Sequence, residues 1–167
     1  LLIFTAFALD GFAYAAEGLA GNALGARDLA AFHRAIARCA WWSAATALTM
    51  STIFLLANGP LYQLLTDIEA VRNIMARHTP WLIVLPLIAA PCYLLDGVFI
   101  GSAETRYMMT TMLFSTLCVY LPLWYLTQGW GNHGLWFAFT GFNAARGLAM
   151  YYCFDRLNRT GGWLKAG

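Results

Sequence analysis

Four ionisable residues stand inside apolar stretches of this sequence: Asp10, Glu17, Asp96 and Arg146. A charged carboxylate at the centre of a membrane helix costs about 2.5–3.5 kcal/mol on insertion scales. Residues that carry such a cost normally face a bundle interior or a watery cavity, and they mark ion or substrate pathways. A carboxylate kept from water favours its protonated form, so it can exchange a proton near neutral pH. Ionised, the same group can hold Na⁺ or attract a cationic substrate. Asp10 and Glu17 are seven residues apart, which on a helix puts them on one face, two turns from each other. A structural alternative stands beside each reading: an Asp10–Arg or Asp96–Arg146 ion pair, or snorkelling of Asp10 and Glu17 to an interface.

Other reactive residue types form no chemical pattern. His33, His78 and His133 are widely spaced and give no metal-ligand spacing. Cys39, Cys92, Cys118 and Cys153 form no CxxC pair and read as buried structural thiols. Neither an HExxH, a Walker A nor a GxGxxG motif occurs. An enzyme is therefore not expected, nor a metal site, nor a cofactor other than a coupling ion.

The elements that must position the four charged residues are membrane helices. Sixty per cent of the 167 residues are hydrophobic and 11 % are charged, against roughly 25 % charged in soluble proteins. Mean hydropathy is +0.60 and net charge is +2. These values exclude a disordered chain, a basic nucleic-acid-binding domain and a soluble globular domain of this size. The apolar runs predict an all-α polytopic membrane protein with about five spans, at 1–24, 39–65, 80–103, 109–127 and 134–154, followed by a polar tail, 155–167. The chain opens at Leu1 inside an apolar run, as expected of a piece of a longer membrane protein.

Lysine and arginine orient the spans. Arg27, Arg34, Arg38, Arg106, Arg156, Arg159 and Lys165 fall on one side, Arg72 and Arg77 on the other. The positive-inside rule then puts the tail in the cytoplasm. Trp41, Trp42, Trp81, Trp124, Tyr125 and Trp130 read as an aromatic belt near span ends. Gly21 with Gly25, and Gly97 with Gly101, form GxxxG pairs that let helices approach closely. Pro86 and Pro91 lie inside the third span, where each removes a backbone hydrogen bond and bends the helix just before Asp96. Pro122 does the same in the fourth span.

Three stretches carry a resemblance. They are LDGFAYAAEGLAGNALGARD (9–28), PWLIVLPLIAAPCYLLDGVFIGSAETRYMMTTM (80–112) and GNHGLWFAFTGFNAARG (131–147). Together they resemble the carboxyl-terminal lobe of MATE (multidrug and toxic compound extrusion) transporters, in the DinF-like branch. The resemblance implies helices 8–12 of a twelve-helix, two-lobe fold, with helix seven and the amino-terminal lobe as partners elsewhere in the same protein. It implies an antiporter of the bacterial inner membrane. Such a protein exports small organic compounds, often lipophilic and cationic, in exchange for H⁺ or Na⁺ as its lobes rock. In some branches an acidic residue on helix ten takes part in cation coupling, and Asp96 occupies the matching stretch. In DinF-like members a proton-coupling Asp belongs to the first lobe. The partners implied are the bilayer, a small organic substrate and the other lobe, with no nucleic acid. A lipid-linked carrier or flippase of related architecture, with more basic groups lining its cavity, is the alternative, as is a fragment that does not transport by itself.

Overall fold

The computed structural model describes residues 1–164, and Lys165 of the expected basic set lies outside them. Among the described residues the chain is helical throughout, with no strand. The elements are α1 (Leu2–Gly25), α2 (Leu29–Leu56), α3 (Asn58–Leu65), α4 (Glu69–Gly101), α5 (Thr105–Phe114), α6 (Leu121–Leu126) and α7 (Asn132–Thr160). A π-helical stretch, Ser115–Tyr120, joins α5 to α6, and single 3₁₀ turns lie at Gln128–Trp130 and Gly162–Leu164.

Four helical segments are long and apolar enough to cross a membrane: Leu2–Gly25, Leu29–Leu56, Glu69–Gly101 and Thr105–Leu126. The expected span 134–154 lies inside α7, whose 29 residues exceed the length a bilayer needs but are less apolar than the other four. Large apolar side chains such as Phe7, Trp41, Leu64, Leu126 and Leu148 are exposed. Lipid is the natural solvent for such a surface.

α4 is the centre of the bundle. It packs against α1, α2, α3, α5 and α7. Its 33 residues reach about 50 Å at the α-helical rise. Directions follow from the contacts. Gly97 of α4 abuts the Ala13 carbonyl of α1, and Gly101 abuts that of Glu17, so these two helices run parallel. His133 meets His78 near the starts of α7 and α4, and Arg146 meets Asp96 further along, so α7 is parallel to them too. The Ser51 hydroxyl donates to the Ile83 carbonyl (2.6 Å), while Phe32 and Phe99 share the Trp163 ring, so α2 is antiparallel. Leu123 touches Gly141, and the Thr127 hydroxyl donates to the Gly134 carbonyl (3.2 Å), so α6 is antiparallel to α7. The chain therefore passes up and down five times, and the short linkers 26–28 and 102–104 lie at one end.

That end carries Arg27, Arg34, Arg38, Arg106, Arg156 and Arg159, together with Phe32, Phe99 and Trp163. Both linkers turn in the same way. Arg27 (φ 56°) and Ala103 (φ 59°) adopt the left-handed conformation after the helix end. The amide of Asp28 bonds back to the Ala23 carbonyl and that of Glu104 to Phe99, each at about 3 Å. These are Schellman closures, with a side chain standing where glycine is favoured.

Several expectations need correction. α2 begins at Leu29, ten residues before the expected span, because the Asp28 side chain caps it by accepting from the Ala31 amide at 2.8 Å. Arg34 and Arg38 therefore lie on the exposed face of a helix, not in a loop. Trp41 and Trp42 fall in the middle of α2 and are exposed. α2 stops at Leu56, and 58–65 form a separate helix. Glu69, Arg72 and Arg77 belong to the first turns of α4, which starts eleven residues before the expected span. The expected polar tail continues α7 to Thr160 and then buries Trp163 against Phe32, Phe99 and Phe154. Its indole N–H donates to the Asn158 side-chain oxygen (2.6 Å), which also meets His33 Nε2 (2.9 Å).

Candidate functional site

The site grows from the contact of α1 with α4. Gly97 and Gly101 carry no side chain, so α4 rests directly on the α1 backbone. A methyl group added at either would overlap the carbonyl of Ala13 or Glu17. At Gly21 an added Cβ would come within 3.1 Å of the Gly101 carbonyl oxygen. At Gly25 a side chain would meet open space.

This contact sets the level of the charged residues. Ala13 faces Gly97, and Asp10 precedes Ala13 by one turn on the same stripe. Asp10 therefore lies at the level of Tyr93, which packs against Leu9. Asp10 is within electrostatic reach of both Tyr93 and Asp96. From the other side α7 brings Gly147 against Cys92 and Arg146 against Asp96. Arg146 Nη2 donates to both Asp96 oxygens, at 2.6 and 2.8 Å. The two side chains are 14 % and 19 % exposed. The Arg146 Nε–H is buried and has no acceptor among the described residues. Asp10 and Glu17 are half-buried, and neither makes an ion pair or side-chain hydrogen bond among the described residues. Of the four charged candidates, three thus gather at one level, and Glu17 sits two turns further along α1.

A cavity of about 180 Å³ opens between α1, α4 and α7, and none of the four charged candidates lines it. Leu2, Leu85 and Phe139 line one end and Leu9, Tyr93 and Asn143 the other. It is large enough for several waters. Most of its wall is apolar, with Thr5, Tyr93 and Asn143 as polar points.

α4 stays helical through Pro80, Pro86 and Pro91. The bond from Ser51 to the Ile83 carbonyl lies in the turn that Pro86 loosens. In the fourth segment the π-helical turn immediately precedes Pro122. Proline there removes the amide that would close the turn, and the backbone adjusts locally.

Two further groupings were invisible in the spacing. His78 and His133 stack with ring centres 4.5 Å apart, and the Trp81 indole donates to His133 Nδ1 at 3.1 Å. Tyr93 and Asn143, on α4 and α7, both line the cavity. Their partners lie on other helices, so no local motif could announce them. No cluster of three or more metal-ligating side chains occurs among the described residues.

Comparison with known proteins gives a consistent result. The MatE family model matches residues 1–126. DNA damage-inducible protein F of Escherichia coli (strain K12) is 42 % identical over 170 residues, covering 99 % of this chain. The chain spans 36 % of the length of that relative. No solved structure matches.

Proposed function

The chain belongs to the MatE family of multidrug-efflux transporters, and on that premise we propose that it works as part of a secondary antiporter in a bacterial inner membrane. The whole protein exports small organic compounds, lipophilic cations and other xenobiotics among them, in exchange for H⁺ or Na⁺. Two lobes rock about a central cavity, and this chain supplies five helices of one lobe with its C-terminus in the cytoplasm.

The observation that carries the reading is the largely buried Asp96–Arg146 pair with a half-buried Asp10 near it that has no ion-pair partner among the described residues. Two carboxylates and one guanidinium leave one negative charge without a partner. Uncompensated charge away from water is costly, so a cation must arrive whenever that space is closed to solvent. A proton, a sodium ion or a cationic substrate can each answer that charge, and exchange between two of them is antiport. A lipid-linked carrier would present basic groups to its cargo. Arg146 is instead already engaged by Asp96.

The test uses the full-length protein in proteoliposomes with a fluorescent lipophilic cation. A pH gradient and a Na⁺ gradient are imposed separately. Dye accumulation against its own gradient under either one supports the reading, and movement indifferent to both counts against it.

A further inference from the structure

We propose that the groove between α2 and α4 binds a neutral lipophile carrying one hydroxyl group, held by Ser43 and reached from the bilayer. This site is independent of the antiport reading. Ser43, Ala47 and Ser51 are buried at successive turns on one face of α2. Ser51 donates to the Ile83 carbonyl at 2.6 Å and so ties α2 to α4. The two helices are antiparallel, so eight residues back along α2, from Ser51 to Ser43, correspond to eight residues forward along α4, from Ile83 to Pro91. There the helices part. Ser43 is 2 % exposed, and its hydroxyl oxygen is buried with no hydrogen-bond partner among the described residues.

A cavity of about 280 Å³ occupies that gap, close to the ~300 Å³ at which small-molecule pockets begin. Ala40, Ser43, Ala44 and Ala47 line it from α2, and Leu87 and Pro91 from α4. No lining residue is ionisable, so the groove suits an uncharged ligand. Pro91 has no amide for the Leu87 carbonyl one turn earlier, so a second polar atom on these walls lacks its helical partner. One ligand hydroxyl can answer both groups. It accepts from the Ser43 O–H and donates to the Leu87 carbonyl, while the rest of the ligand lies against alanine and leucine.

The mouth of the groove faces lipid. Ser43 lies about 20 Å from either end of α2 at the helical rise, near mid-membrane for a spanning helix. Ala44, Leu87 and Pro91 at the rim are exposed, as are Trp41 and Leu48 one turn to either side of Ala44. A lipophile dissolved in the hydrocarbon reaches the groove sideways. At that depth no bulk water competes for the Ser43 hydroxyl.

The test photolabels full-length wild type in liposomes with a phenol that carries a trifluoromethyl diazirine para to its hydroxyl, and maps the adducts by mass spectrometry. Label within 40–47 and 87–94 that excess para-tert-butylphenol removes, and tert-butylbenzene does not, is expected. Label there that both compounds remove alike, or that neither removes, shows no recognition of the hydroxyl and overturns the proposal. Absence of label there shows that another part of the full-length protein covers the groove, and overturns it as well. Ser43→Ala should raise the half-saturating phenol concentration about tenfold. The same variant should melt no lower than wild type in detergent, because the lost hydroxyl has no partner to abandon. Ala44→Phe, which fills the mouth, should abolish the competed label. Equal half-saturation in Ser43→Ala and wild type, or a Ser43→Ala protein that melts well below wild type, overturns the role of Ser43 and the proposal with it. Should Ala44→Phe not fold, wild type and Ser43→Ala decide. Gradient-driven dye transport is read separately, so a protein that transports without recognising the phenol fails this inference and keeps the antiport reading.

Discussion

Arg146 stands fifty residues from Asp96 in the chain, yet a single nitrogen, Nη2, reaches both Asp96 oxygens, at 2.6 and 2.8 Å. The contact ties α7 to α4 at the level where α1 crosses, through the bare backbone at Gly97 and Gly101. Three helices of equal direction are thereby fixed around one charged point.

Removing one partner of that pair leaves the other charged and poorly solvated. Arg146→Met should cost about 3–5 kcal/mol, whereas Asp96→Asn/Arg146→Gln should cost clearly less than the two single changes together. Thermal unfolding of the purified full-length protein in detergent, run as a double-mutant cycle, measures the coupling. Additive effects would mean that the pair contributes nothing as a pair.

The glycines differ in kind. Gly97→Ala drives a methyl group into the Ala13 carbonyl, and Gly101→Ala into that of Glu17. Each should destabilise by about 3 kcal/mol or more, or abolish the folded protein, because neither obstacle is a flexible side chain. Gly18→Ala meets open space on α1 and should be neutral or stabilising by about 0.5–1 kcal/mol. Melting temperatures of the three variants give the ranking directly. A Gly97→Ala protein as stable as Gly18→Ala would refute the close approach.

Ala103 holds a left-handed conformation between α4 and α5 (φ 59°). Such a residue carries about 1–2 kcal/mol of steric cost that glycine lacks. Ala103→Gly should therefore raise stability by about 1 kcal/mol, and Ala103→Val should lower it by more. A stability assay that finds no difference between glycine and valine would contradict this turn.

The last turn of the chain is an anchor. Trp163 lies within 5.0 Å of Phe32, 5.9 Å of Phe99 and 5.4 Å of Phe154, measured between ring centres. Trp163→Ala should cost about 3–5 kcal/mol, while Trp163→Phe, which keeps the packing and loses the indole N–H, should cost markedly less. Limited proteolysis at the Asn158–Gly162 end reads the same change as faster cleavage. Equal stability of the alanine variant and wild type would show that the end of the chain does not hold the bundle.

Much of the fold was legible because the signal is composition over long windows. Long apolar runs, few charges and two short turns define the helices, and the LDG, GARD and TR stretches carry the family resemblance. What escaped was non-local or capped. Asp28 starts α2 early through one side-chain bond, so Arg34 and Arg38, which read as loop, lie on a helix. Asp155 and Arg159 pair one turn apart (2.8 Å) at the end of α7, so the polar segment is helical as well. Asp96–Arg146 could be weighed from sequence as one pairing among several, and three-dimensional packing selects it. The His78–His133 stack had no sequence signal, because its members lie on two different helices.

The central claim is exchange, and exchange is reciprocal by linkage. The most direct measurement imposes only a substrate gradient across proteoliposomes holding the full-length protein, with a pH dye inside and a parallel Na⁺ flux assay. Outward substrate movement should drive H⁺ or Na⁺ inward. Substrate that crosses at full rate while neither ion moves would contradict the account.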